Sequence, residues 1–409
     1  MKKRNEPIAA SRRELRMAKL VGRHGQTNRS QKQRAILARG IVRILGDERR
    51  QAISVPLLAI LLSLIASSLL LLALGKNPLA SFRALLAGAG FLPKLNYSAG
   101  KGTFTDLMST FAALTPMIFA SLSVAVASKT GLFNIGVSGQ MIFAGYFATV
   151  IIGYSTLPGI VAKPLVLLIG IVAGAFAGGI IGLLKHRFNI NEVVSSIMLN
   201  YIFQYVFGFF ILTKYIDPIT RHSRAVSSAS RLLFTNVQVG RFKTDMPVFV
   251  LLAIAAAIGL KFFLDRTRRG FELRAVGAQP KAARYAGAKV GQNILLAMVI
   301  SGALAGLAGV TYYLGYYDSI TPKELASTGF DAIAVSLLGN SNPIGILFSS
   351  VLVTVVDRGA TYMSSAMDVQ REISQVITGI ILLFSACGAY IRYLVGKVRA
   401  EDLKAEVED

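Results

Sequence analysis

Apolar runs of bilayer length alternate with short polar intervals along most of this chain, a rhythm that predicts a bundle of membrane-spanning helices. Uninterrupted runs occupy residues 55–75, 107–127, 165–184, 189–212, 247–264, 293–317 and 373–394. An eighth run, 130–145, begins with Gly131, Asn134, Gly136, Ser138, Gly139 and Gln140 before it turns apolar. The pattern therefore predicts an all-α polytopic membrane protein of about eight full crossings. A further segment, 328–359, is apolar at both ends but broken by Gly339, Asn340, Ser341, Asn342, Pro343 and Gly345. It reads as a re-entrant hairpin, because irregular backbone at membrane depth is tolerated only inside protein or beside a water-filled cavity.

The breaks are where chemistry is expected. Asn134, Ser138 and Gln140 fit two readings equally, close packing through small residues or the lining of a polar pathway. Asn200 and Gln204, one turn apart in the 189–212 run, face the same choice. Asn340 and Asn342 sit at the second break, and Asp331 either faces the pathway or caps a half-helix beginning near Phe330. Asn191 and Glu192 are suited to capping the helix they begin. The stripes Gly302, Gly306, Gly309 and IGIVAGAFAGGIIG within 165–184 point to tight helix contacts. Paired interruptions in the two halves suggest a central site between repeats.

Composition sharpens this picture. Of 409 residues, 53% are hydrophobic and 16% charged, with a mean hydropathy of +0.56, too apolar for an ordinary soluble domain. The net charge of +23 gathers in residues 1–52 and in short loops, where it orients a membrane protein and gives no reason to invoke nucleic acid. The basic tail suits anionic lipid headgroups. Cys387 alone allows no disulfide framework, and His24, His186 and His222 are too scattered for a metal cluster. No phosphate loop of the G-x-x-x-x-G-K-[ST] form occurs, so no ATP chemistry is expected on this chain.

The longest charged interval within the apolar region is 265–292, with Arg266, Arg268, Arg269, Arg274, Lys281, Arg284 and Lys289 against Asp265 and Glu272. By the positive-inside rule it is cytoplasmic, and Pro280 to Gly287 has the start and stop signals of a short helix. The chain thus divides into a basic cytoplasmic tail (1–52), a membrane domain (53–395) holding this loop and the re-entrant segment (329–359), and a cytoplasmic tail (396–409). The polar loop 213–246 falls on the opposite side, where an external delivery protein could be received.

Four stretches carry a family resemblance: GLFNIGVSGQ (131–140), NEVVSSIMLNYI (191–202), RAVGAQPKAARYAGAKVGQNILLAMVISGALAGLAG (274–309) and GFDAIAVSLLGNSNPIG (329–345). They resemble the permease subunits of bacterial ABC importers for nucleosides and simple sugars, the group that includes ribose and branched-chain amino acid permeases. The order of motifs is most similar to the longer permease of a nucleoside uptake system, with a simple-sugar permease as the alternative and an ion-coupled secondary transporter as a remoter one.

The resemblance implies a type II-like importer permease in the bacterial cell membrane with both termini cytoplasmic. It implies a second, homologous permease as heterodimer partner, an ABC ATPase subunit carrying ATP and Mg, and an extracellular substrate-binding lipoprotein; this chain itself would bind no cofactor and catalyse nothing. KAARYAG resembles the EAA-x-x-x-G loop that meets the ATPase, with Ala282, Ala283 and Gly287 matched and Lys281 departing from the acid of that pattern. Gly277, Pro280, Ala282, Ala283, Tyr285 and Gly287 are the implied coupling set. Asn134, Ser138, Gln140, Asn200, Gln204, Asp331, Asn340 and Asn342 are the expected pathway groups.

Overall fold

The computed structural model describes residues 48–367 apart from 98, 99 and 241, together with single residues and short pieces between 373 and 390. The chain divides into two compact units, residues 1–58 with 389–409, and Ala59–Gly388. All the candidate site residues fall in the second. The expected last span, 373–394, and both tails lie wholly or mostly outside the described residues.

The helices are α1 (Glu48–Ala73), α2 (Pro78–Gly88), α3 (Thr103–Lys129), α4 (Val137–Ala148), α5 (Gly159–Phe188), α6 (Glu192–Phe210), α7 (Phe249–Arg266), α8 (Arg268–Ala278), α9 (Pro280–Tyr285), α10 (Val290–Thr311), α11 (Thr328–Leu338) and α12 (Pro343–Ala366). Three of them, α4, α6 and α10, continue into π turns at Thr149–Gly153, Ile211–Tyr215 and Tyr312–Tyr316. Among the described residues, five helices are long and apolar enough to cross a membrane: α3, α5, α6, α10 and α12. A sixth is obtained if the part of α1 from Leu61 to Ala73 and α2, bent by 117°, are counted as one span.

Several sequence expectations change here. Eight full crossings are not reached among the described residues; α4 with its π turn is short, and α7 ends in Lys261, Asp265 and Arg266. The fold is mostly helical as expected, with one addition among the described residues, an antiparallel hairpin of β1 (Phe234–Val239) and β2 (Phe242–Met246) around Gly240 at φ +61°. It forms because Phe234, Val237, Val239 and Phe242 suit a pleated ribbon, and glycine accepts the left-handed turn. The arms of 329–359 are unequal: α11 has 11 residues, whereas α12 has 24 and by length and composition is a spanning helix in its own right. The break between them is a tight turn with Asn340 at φ 55° and Ser341 at φ 49°.

α10 lies at the centre, packed on α3, α4 and α5. Its approach to α5 depends on glycine. A methyl group at Gly174 would stand 2.6 Å from Gly306 Cα, and one at Gly178 2.7 Å from Gly302 Cα, both well inside van der Waals contact. Without a hydrophobic drive between helices in lipid, such close backbone approach is what holds spans together.

The loop 265–292 marks one end of the bundle, called here the basic face. α3 ends on it, since Lys129 touches Gly277; α10 begins on it; and the end of α5 meets it through His186 against Gly291. The π turns of α4, α6 and α10 therefore gather at the opposite, far end.

Candidate functional site: two helix breaks and a basic-face loop

The first break, Gly131 to Gly136, is closed off by its own amides. Asn134 donates to Gln140 Oε1 at 3.1 Å and to Ser301 Oγ at 2.9 Å, and its Oδ1 accepts from Gly136 N at 2.9 Å and Gln140 Nε2 at 3.3 Å. Ser301 passes the chain on to Ser123 O at 2.8 Å. Asn200 bridges the gap in the helix from outside, donating to Ile135 O and accepting from Gly139 N, both at 2.9 Å. Asn134, Ser138 and Gln140 have no exposed surface and Asn200 has 3%. A break in a helix leaves amide and carbonyl groups without partners, and these side chains replace the missing ones.

The second break is open. Asn342 caps α12 through Ile344 N at 3.0 Å and is exposed, as is Asn340. The half-helix α11 starts at Thr328, so Asp331 falls inside its first turn and does not cap it. The start of α11, at the other end of that half-helix from the Asn340–Asn342 turn, meets the first break: Ser138 Oγ donates to Ala326 O at 2.9 Å, and a methyl group at Gly329 would lie 2.7 Å from Ser138 N. Gln204 stands apart from the buried group, donating to Lys323 O at 2.6 Å and so pinning the coil that leads into α11.

On the basic face, Thr267 caps α8 through Gly270 N at 3.0 Å. Glu272 ties α8 to α10 by accepting from Asn293 Nδ2 at 3.3 Å, and it pairs with Arg268 at 3.1 Å and Arg269 at 3.4 Å. The Asn293 amide first, and then the two guanidinium groups, hold its carboxyl below the usual carboxylate range against the opposing effect of burial. α9 starts on Pro280 and stops at Gly287, whose φ of +86° lets Ala288 N reach back to Ala283 O at 2.9 Å. Ala283 is turned inward with 5% exposure, Ala282 is exposed, and Tyr285 stands 94% exposed. Gly277 lies against the end of α3: a methyl group there would be 2.9 Å from Gly131 N, and Gly131 itself sits at φ +74°. The loop and the sealed break are thus in direct backbone contact.

The sequence matches the family described as "Branched-chain amino acid transport system / permease component" over residues 107–386, more than half of the chain. It belongs to that permease family. The chain is 32% identical over 362 residues to the nucleoside ABC transporter permease protein NupB of Lactococcus lactis subsp. cremoris, covering 87% of this chain and 96% of that one. It is 34% identical over 357 residues to the guanosine ABC transporter permease protein NupP of Bacillus subtilis, covering 86% and 98%. It also matches NupC, another nucleoside ABC transporter permease protein of the same Lactococcus strain, at 28% over 244 residues, covering 58% and 76%. Members of this family are transport components, so this permease is a transport subunit rather than an enzyme.

For the permease, the eight expected pathway residues divide sharply. Asn134, Ser138, Gln140 and Asn200 converge, but on one another and on backbone, where they are buried and hydrogen-bonded. Asp331, Asn340 and Asn342 lie along the α11–α12 hairpin, half-buried or exposed. Three features escaped sequence reasoning: Ser301 as the far anchor of Asn134, the Gly131–Gly277 contact, and Arg358, which joins α12 to α3 and to Tyr316. Only Arg358 left a signal, as a lone cation within an apolar run next to an acid.

Proposed function

We propose that this permease is one of two membrane subunits of an ATP-driven importer that carries nucleosides inward by alternating access. The observation that carries the reading is its similarity, over 86–87% of its length, to permeases named for nucleosides and guanosine. The shorter relative NupC, from the same organism as NupB, supports a second, different permease as partner.

The basic-face loop supplies the mechanical half of the reading. Tyr285, nearly all exposed on a short helix with rigid ends, is the natural anchor for a pocket on an ATPase subunit, since buried aromatic anchors dominate interface energetics. Ala282 allows close approach beside it, and Lys281 and Arg284 set the charge of the contact. ATP and Mg would act on that partner. Movement of α9 reaches α8 through Gln279, and α8 reaches the sealed break where Gly277 touches Lys129 and Gly131. The basic face is then cytoplasmic, in accord with the charge of the loop, and the far face with its β hairpin is turned toward an extracellular binding lipoprotein. The termini are cytoplasmic and the membrane is that of a bacterial cell.

The test is purification of the intact complex followed by uptake into vesicles with the candidate binding protein. Guanosine and adenosine should compete with a labelled nucleoside, whereas ribose and glucose should not. Competition by free sugars alone would replace the nucleoside assignment with a simple-sugar one. Uptake driven by an ion gradient without ATP would end the importer reading.

A further inference from the structure

Side chains on the outside of a membrane bundle ordinarily meet lipid, and two outer helices fit that expectation. The exposed positions of α5 between 164 and 183, and of α7 between 251 and 262, are all apolar. α6 departs from it. With its π turn it spans Glu192 to Tyr215, and at about 1.5 Å per residue Tyr201 and Tyr205 lie within about 4 Å of the midpoint. They are 53% and 57% exposed, and neither hydroxyl has a hydrogen-bond partner among the described residues.

A second feature stands on the same side. The coil between α10 and α11 descends along α6: Gln204 donates to Lys323 O at 2.6 Å, and a methyl group at Gly208 would stand 2.9 Å from Lys323 N. Lys323 and Glu324 are both exposed. At about 100° per residue, Tyr201 and Tyr205 sit about 60° and 100° round the helix from Gln204, in the direction of Gly208. The two phenols therefore occupy the edge of the exposed face nearest the coil.

None of this suits lipid. Tyrosine hydroxyls belong at the membrane surface rather than in mid-span, ionisable side chains at such depth face protein or water, and irregular backbone there is tolerated only inside protein or beside a water-filled cavity. A dry seam with another subunit would have to pair two phenols, an ammonium and a carboxylate one by one. Water satisfies all four without a matched partner. The charges of Lys323 and Glu324 offset each other, which favours a neutral ligand, and the two rings one turn apart offer faces on which a planar heterocycle can stack.

We propose that Tyr201 and Tyr205 line a water-filled passage beside α6 and that their rings carry the base of a nucleoside along it. The proposal rests on the nucleoside-import reading and gives it a place and a contact. It also moves the pathway on α6 from Asn200 and Gln204, whose amides are spent on backbone, to the aromatic residues beside them.

The experiment uses the complete importer in lipid nanodiscs, where both membrane faces meet solvent, with Cys387, the single cysteine, replaced by serine. Tyr205→Cys should react with a charged methanethiosulfonate reagent, and guanosine should slow the reaction. Val172→Cys, 60% exposed on α5, should stay unreactive because it meets lipid. In vesicles, Tyr201→Ala and Tyr205→Ala should each lower ATP-driven guanosine uptake at low concentration by about tenfold, the size of one lost base–aromatic stack, with complex assembly unchanged. Tyr201→Phe and Tyr205→Phe, which keep the rings, should import at close to the wild-type rate. If Tyr205→Cys is as unreactive as Val172→Cys, the face is dry, against lipid or the second permease, and the passage is wrong. Labelling that guanosine does not slow, together with alanine variants that import normally, overturns the base contact. A wild-type complex that imports no nucleoside overturns the import reading, and the ligand named here with it, while labelling at position 205 still decides whether the passage holds water.

Discussion

The break at Gly131–Gly136 is sealed and the turn at Gly339–Asn342 is open, although both interrupt apolar sequence with the same residue types, glycine, asparagine and serine. At the first, each amide of Asn134 finds a partner inside the bundle, and Asn200 adds a bridge from a neighbouring helix. At the second, Asn342 serves its own helix only, and Asn340 is exposed at φ 55°. Burial, and not residue type, separates a structural joint from a surface that a ligand or a second subunit can reach. The sealed break touches the start of α11, where Ser138 meets Ala326 and Gly329, and the open turn lies at the other end of that half-helix.

The comparison can be broken most forcefully at Gly277. Gly277→Val would drive a branched side chain into Lys129 and Gly131, and uptake should fall by about 5–150-fold, the range of a typical coupling free energy, with ATPase copurification retained. Normal uptake would show that the sealed break does not listen to the loop. Asn134→Ala comes next. It strands Gln140 and the Gly136 amide, and should cost about 1–3 kcal/mol, read as a lower unfolding temperature in detergent; an unchanged value would mean the break is not held by its amides. Asn342→Ala removes a helix cap worth about 1 kcal/mol and should be milder than Asn134→Ala, with Asn342→Asp close to wild type. The reverse order would erase the distinction between sealed and open. The smallest effect concerns Glu272. Because its folded carboxyl titrates below the usual range, its contribution to stability is complete above the ordinary carboxylate pKa and is lost as pH falls through the folded value. The stability difference between wild type and Glu272→Gln should therefore stay flat from pH 7 down to the ordinary glutamate pKa of about 4.3 and shrink only below it, and a difference that stays constant through that lower range would remove the Asn293–Glu272 tie from the account.

Much of this was legible in one dimension. Residue 280 as helix start and residue 287 as helix stop followed from the fixed φ of proline and the left-handed freedom of glycine, and α9 has those ends. Asn191 does cap α6, accepting from Val193 N at 2.8 Å, with Glu192 beside it paired to Lys185 at 3.0 Å. The glycine stripe on α10 meets its counterpart on α5. What a pattern along the chain could not show is which polar residues face one another. Asn134 and Ser301 are 167 positions apart, and whether an amide lines a path or seals a joint depends on what stands opposite. The length of the second arm of 329–359 was hidden for another reason: Asp357 and Arg358 break the apolar run, but Ser109 and Tyr316 satisfy the cation, so α12 carries on to Ala366.

The π turns carry a last consequence. Thr149–Gly153, Ile211–Tyr215 and Tyr312–Tyr316 all crown helices at the far end, and Tyr154 stacks on Tyr215 at 5.6 Å while Gly145 lies against Tyr313. A π turn holds one residue more than the α ladder beneath it, and interconversion between the two windings rotates whatever lies beyond by about 100°, one residue's worth of an α-helical turn. The permease therefore sets a glycine-locked shaft beneath a rim of three π collars, each displacing what lies beyond it by one residue from the α register, and that rim holds the tyrosines.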